Sequence, residues 1–196
     1  MMMLIDQLLD HCAHSWTRQY LEVGEYVYQP ADVDANIYLI EKGLVKIGSL
    51  GTLGERVLYD LLQPGELFGD LNYLDEAEFF EFAQAATSLS VLAIDRRAFR
   101  QAVRIDPVLA DWFQQTLVRR WHRAEVKLFQ RSSEPVECRI RHLEQQYSSS
   151  IADAHNRLFR PFDQLSLQEI GDLVGATRQT VSRKVKPRPT LALCAN

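Results

Sequence analysis

Cysteine is scarce in this chain of 196 residues: Cys12, Cys138 and Cys194 stand far apart and are odd in number. A disulfide framework is therefore not expected, and a reducing cytoplasm is the expected setting. Long apolar runs are missing as well. None approaches the roughly 18 residues that a membrane span needs, so no membrane partner is expected. Residues 1–16 carry Asp6 early and show no basic leader, which argues against a secretory signal. No nucleophilic triad, no paired carboxylates in a pocket context and no phosphate-cradling loop can be found, so an enzyme is not expected. His11-Cys12-Ala13-His14 brings metal-binding residue types together, but no partner cluster follows. Its expected setting is an ordinary helix surface, with no metal and no resident cofactor.

What is present is ordinary in bulk and uneven in detail. Hydrophobic residues make up 46% and charged residues 24%, enough apolar surface for a buried core and too little charge for disorder. The formal net charge of −4 looks unfavourable to a nucleic-acid partner. Residues 1–106, however, hold 8 basic and 17 acidic residues, a net of −9. Residues 107–196 hold 14 basic and 9 acidic residues, a net of +5. From Leu173 onward there are 5 basic residues and no acidic one. The split suggests an acidic module and a basic one that faces an anion.

The first half reads as β. Tyr26-Val27-Tyr28, Ile37 to Ile40, Leu44 to Ile47 and Val57 to Leu62 are short runs rich in β-branched and aromatic residues. Gly24, Gln29-Pro30, Lys42-Gly43, Gly51 and Gln63-Pro64-Gly65 punctuate them. Phe79 to Ala86 and Ser88 to Ile94 add two more. The expectation is a closed β-roll.

The pattern then turns helical. Asp95 can cap a short helix, and Pro107 can open a long one at its first turn. Phe113, Leu117, Trp121, Ala124 and Leu128 recur at helical spacing along that second helix. Such a narrow seam suits pairing with a second copy of the chain; packing on its own β-roll is the alternative. Ser132-Ser133-Glu134-Pro135 marks a hinge, and Val136 to Tyr147 a further helix.

The most informative stretch runs from Leu165 to Val185. Ser166 and Glu169 have the spacing of a capping box. Leu167, Ile170, Leu173 and Val174 form one apolar face, Gly175 can end that helix in a left-handed turn, and Thr177 can cap the next one. With Val181 and Val185 turned inward, Arg178, Gln179, Ser182 and Arg183 are left outward near the second helix's N-terminus. This is a helix-turn-helix pattern. Double-stranded DNA is the partner it suits. Arg178 and Arg183 can each pair with a guanine edge, and Gln179 with an adenine edge. Thr177, Thr180, Lys184 and Lys186 are the candidate phosphate contacts.

At these residues the chain resembles the cyclic-AMP receptor protein (CRP/FNR) family of bacterial transcription regulators. The resemblance rests on Gln168-Glu169-Ile170-Gly171, Val174-Gly175 and Arg178-Gln179-Thr180-Val181-Ser182-Arg183. It continues upstream in Gly24 to Tyr28, Ile37 to Lys46 and Pro64 to Leu71. It implies an α+β chain with three parts: a cyclic-nucleotide-binding-type β-roll over residues 1–106, a dimerisation helix and hinge over 107–135, and a winged helix-turn-helix over 136–196. It further implies a homodimer on a palindromic operator, RNA polymerase as a further partner, and a small-molecule effector.

Two departures from the family pattern shape the expectations. Members that bind cyclic AMP carry an Arg-Ser pair about a dozen residues after the Gly-acid pair, and it holds the cyclic phosphate. Here those positions fall on Phe79 and Phe80, in a loop one residue shorter, with Glu76, Glu78 and Glu81 nearby. A buried phosphate without such partners would be costly. The family's Thr-Ser pair on the long helix aligns with Ala124-Glu125, while Gly69, Asp70 and Leu71 keep the start of the site. The effector pocket is therefore expected to be degenerate, with cyclic AMP not bound and the effector unknown. With Cys12 alone near the N-terminus, the iron–sulfur ligation of some members is not expected. Second, Lys186-Pro187-Arg188-Pro189 should stop the recognition helix, and too few residues follow for a wing. The ending reads as truncated or frame-shifted, so weakened DNA binding is expected. The competing reading is a small-molecule sensor or interaction module whose DNA-binding domain is vestigial.

Overall fold

The computed structural model describes residues 2–30, 36–71 and 79–185. It opens with helix α1 (Met2–His11), followed by strands β1 (Trp16–Leu21), β2 (Tyr26–Tyr28), β3 (Asn36–Lys42), β4 (Val45–Leu50), β5 (Arg56–Leu62), β6 (Leu67–Phe68), β7 (Glu81–Ala85) and β8 (Leu89–Asp95). Helices α2 (Arg96–Ile105), α3 (Pro107–Ser133) and α4 (Val136–Gln146) come next. A short hairpin of β9 (Ile151–Ala152) and β10 (Leu158–Phe159) and a single 3-10 turn (Pro161–Gln164) then lead to α5 (Leu167–Val174) and α6 (Arg178–Lys184).

The β-roll consists of two four-stranded sheets with orders β1-β8-β3-β6 and β2-β7-β4-β5, all pairs antiparallel. The two faces of β3 and β8 explain their composition. Tyr38, Ile40, Val91 and Ala93 point between the sheets, where they meet Val45, Ile47, Leu62 and Phe68. Ile37, Leu39, Leu92 and Ile94 point the other way, against α1, α2 and the start of α3. Both faces are buried, so these strands read as continuous apolar runs instead of alternating ones.

Helix entry is set by carboxylates. The Asp95 side chain accepts from the backbone N–H groups of Arg97 and Ala98, both at 2.9 Å, and opens α2. Asp106 accepts from Val108 and Leu109 and opens α3, with Pro107 in the first turn, where its missing donor is not needed. Gln7 and His11 of α1 also bond Asp106, at 2.6 and 2.9 Å. His11, Ala13 and His14 are exposed, as expected of a surface segment, and the departure lies at Cys12. Cys12 is buried in the core, and burial, ahead of the nearby Asp95 charge, pushes its thiol up to about 11. Among the described residues no cluster of side chains is arranged to hold a metal ion. No helix among them is long and apolar enough to cross a membrane.

Candidate nucleic-acid interface and effector face

The helix-turn-helix is built by local bonds that the sequence dictates. Ser166 Oγ accepts from the Glu169 backbone N–H at 3.2 Å, and the Glu169 carboxylate accepts from the Ser166 N–H at 2.8 Å. Such a cap is worth about 1 kcal/mol. Gly175 ends α5 at φ +66°, in the left-handed region open to glycine, and the Ala176 N–H returns to the Gly171 carbonyl at 2.8 Å. A Cβ on Gly171 would lie 2.5 Å from the Ala176 carbonyl oxygen, which is backbone and cannot swing away. Gly171→Ala is therefore expected to lower stability by about 1–3 kcal/mol despite alanine's better helix propensity; thermal unfolding of the variant checks this.

Thr177 caps α6 through a 3.2 Å bond from the Thr180 N–H, and the two threonine hydroxyls lie 3.0 Å apart. Val181 is fully buried, and Val185 packs against the same apolar cluster as Ile170, Leu173 and Val174. The opposite face carries Arg178, Gln179, Ser182 and Arg183, all exposed. Lys184 is exposed too, but its ammonium pairs with Glu137 of α4, and that bond holds the Glu137 carboxyl below its ordinary range. Lys186 and the expected break at 187–189 lie outside the described residues, as do Glu76 and Glu78.

The helix-turn-helix is docked on the β-roll of its own chain. One apolar cluster joins Leu44, Leu58 and Leu61 of the roll to Ile140, Tyr147, Phe162 and Ile170. Around it, Tyr147 Oη donates to the Leu61 carbonyl at 2.8 Å, Leu58 N–H to Asp172 Oδ2 at 3.1 Å, and Lys46 Nζ meets Glu169 Oε1 at 2.6 Å. Burial alone would raise the Glu169 carboxyl. The bonds from Lys46 and Ser166 outweigh it and hold the group below its ordinary value. Nothing in the sequence pairs Lys46 with Glu169.

The long helix shows two different faces. Arg120, Arg123 and Lys127 turn toward the roll: Arg123 Nη2 meets Glu66 Oε1 at 2.5 Å, Lys127 Nζ meets the buried Asp60 carboxylate at 3.0 Å, and Arg120 Nε lies 3.7 Å from it. Trp121 and Leu128 turn away from it and are exposed, with Val118 and Phe129 beside them, while the half-exposed Leu117 also lines a cavity against the roll. Ala124 and Glu125 are exposed on the same side. Phe113 does not belong to this seam. It is buried in edge-on contact with Phe99 of α2, ring centroids 5.4 Å apart, because the first turns of α3 are covered by α2.

The inside of the roll is filled by aromatic rings. Tyr28 lies 5.2 Å from Phe79, 5.8 Å from Tyr38 and 6.0 Å from Phe68, centroid to centroid. Glu81 accepts from the Tyr28 hydroxyl at 2.5 Å and from the Tyr59 hydroxyl at 2.7 Å. Phe79 thus packs inward, whereas Phe80 is 62% exposed and only flanks Tyr59. Asp70 is held by Arg96, whose Nη1 is 3.3 Å from its carboxylate. On the other side of the sheet, between Ile37, Leu67 and α3 and with Gly69 and Leu71 in its lining, lies a cavity of about 40 Å³. That is room for a water molecule. Arg120 lines it and donates to the Leu67 carbonyl at 3.4 Å.

A β-roll, a long helix with an outward apolar seam, and a helix-turn-helix with a polar, basic outer face together make the architecture of a two-module DNA-binding regulator. Residues 18–106 match the family described as cyclic nucleotide-binding domain, and residues 164–186 match the family described as bacterial regulatory proteins, crp family. Together the two matches take in more than half of the chain. The chain belongs to the cyclic-AMP receptor protein (CRP/FNR) family of bacterial transcription regulators. Among its relatives is the cyclic AMP receptor protein of Thermus thermophilus, 27% identical over 92% of this chain and 80% of the relative. Another is the CRP-like cAMP-activated global transcriptional regulator of Mycobacterium tuberculosis, 26% identical over 82% of this chain and 71% of the relative. In fold it is similar to FixK2 of Bradyrhizobium japonicum, with a TM-score of 0.67 and 21% identity over 86% of this chain and 82% of that one.

Proposed function

We propose that the chain acts in the cytoplasm as a homodimeric transcription regulator that reads a palindromic operator with α6 and does not respond to cyclic AMP. One observation carries the DNA reading: the capped α5–turn–α6 unit buries Val181 and leaves Arg178, Gln179, Ser182 and Arg183 together on its open face. Arginine and glutamine there suit the guanine and adenine edges of the major groove. The seam of Leu117, Trp121 and Leu128 favours a two-fold pair, which would bring two reading helices to half-sites about 34 Å apart. RNA polymerase is the further partner proposed. Fluorescence anisotropy with a palindromic duplex at rising salt tests the reading. Affinity should fall steeply, as displaced counterions require, and no binding at low salt would contradict it.

The cyclic-AMP part rests on the roll interior. Phe79 occupies the space beside Tyr28 at a position where relatives that bind the nucleotide present a phosphate ligand, and Glu81 adds negative charge. Calorimetry with cyclic AMP and with cyclic GMP is expected to give no heat of binding at micromolar ligand. Micromolar affinity for either nucleotide would overturn this part.

A further inference from the structure

A second and larger cavity, about 260 Å³, lies where α3, α4 and α5 converge. The charged side chains in its lining are Arg123, Lys127 and Arg131 of α3 and Arg139 of α4, joined by the imidazoles of His122 and His142, the latter with Glu134 Oε2 at 3.1 Å just outside the lining. No aspartate or glutamate is among the described residues that line it. Arg123 and Lys127 have carboxylate partners on the roll, Glu66 and Asp60. Arg131 and Arg139 instead donate to backbone carbonyls at the end of α5, those of Asp172 at 2.9 Å and Val174 at 2.5 Å. Arg139 Nε is buried and has no acceptor among the described residues. Burying a guanidinium donor without an acceptor is costly, so the site calls for anionic oxygens.

We propose that this cavity binds a small organic phosphate. Arg131 and Arg139, without carboxylate partners among the described residues, match the two charges of a phosphate monoester, and their planar forks suit its oxygens. Val126, Leu143 and Leu173 offer an apolar wall for the body of the molecule. The volume, about 260 Å³, lies just below the range of about 300–1,000 Å³ for drug-sized ligands and favours a sugar phosphate over a dinucleotide. At 100° per residue, Val126 and Gln130 lie on the far side of α3 from Trp121 and Leu128, so pairing through the seam leaves the cavity open. The bound phosphate would tie the long helix to α4 and to the end of α5. A role in setting the helix-turn-helix rests on the regulator reading; the binding itself does not.

The test is calorimetry on the full chain with inorganic phosphate, pyrophosphate and ribose 5-phosphate at low ionic strength. At least one should bind with a Kd below about 1 mM. Val126→Glu places a carboxylate at the cavity wall on a side chain that makes no hydrogen bond, and should weaken that affinity by at least about tenfold, while Val126→Gln should leave it within about twofold. Absence of binding below that limit for all three probes overturns the proposal. So does equal weakening by both variants, or binding untouched by Val126→Glu but lost in Arg178→Ala/Arg183→Ala, which would put the phosphate on the reading helix. No DNA enters the measurement, so its failure leaves the regulator reading standing.

Discussion

Trp121→Glu combined with Leu128→Glu is expected to turn the protein from a dimer into a monomer. The two side chains are 66% and 64% exposed in the single chain, on a helix whose other face is already committed to the roll through Arg120, Arg123 and Lys127. No described residue covers them, and on the proposed reading a second copy of the chain does. Removing a central aromatic anchor from an interface costs about 2–4 kcal/mol, and in a two-fold dimer the loss is counted on both sides. Four carboxylates brought together along the seam add repulsion. Sedimentation at micromolar protein is the direct check: wild type should run as a dimer and the variant as a monomer. Its thermal unfolding should stay close to that of an isolated subunit, since neither side chain holds the subunit's own core. Operator affinity should fall with dimerisation, because a single half-site contact must then do the work of two.

The second large effect lies on α6. Arg178→Ala combined with Arg183→Ala should reduce affinity for the preferred operator by about 2–6 kcal/mol per half-site while leaving binding to unrelated DNA far less affected. Each arginine paired with a guanine edge is worth about 1–3 kcal/mol of discrimination. Both side chains are exposed and unneeded by the core, so the fold should be kept. Lys184→Ala makes a useful contrast. Its ammonium already pairs with Glu137, so moving it to a phosphate gives up that bond and the net loss should be small. Gel-shift titrations with specific and scrambled duplexes separate these outcomes. An equal loss on both duplexes would make the arginines general phosphate contacts and not readers of sequence.

The parts legible in the sequence are those that short-range chemistry sets. The Ser166–Glu169 box, the Gly175 turn and the Thr177 cap each act within a few residues, and the helix-turn-helix follows from them. The runs at Ile37 to Ile40 and Ser88 to Ile94 read as strands because both of their faces are buried. Strand β1 escaped notice because Trp16–Leu21 is an edge strand with polar residues exposed along it, and the β9–β10 hairpin because it is only two residues long on each side. Phe113 was legible as an apolar helical position but not as to which way it faced; the packing of α2 decides that. Arg120, Arg123 and Lys127 read as the flank of a seam. Their partners Asp60 and Glu66 lie 57 to 67 residues away for the hydrogen-bonded pairs, and no local spacing reveals them. The same holds for Lys46 with Glu169, and for the cationic cavity, which exists only once three helices have met.

In the proposed regulator α6 reads sequence as half of a symmetric pair. Selection from a pool of random duplexes by the full-length chain at low salt tests it most directly. The expected result is enrichment of an inverted repeat whose half-sites are about one helical turn apart, with the enrichment lost in Arg178→Ala/Arg183→Ala. A pool that stays random after repeated rounds, or a consensus that survives those two substitutions unchanged, would contradict it.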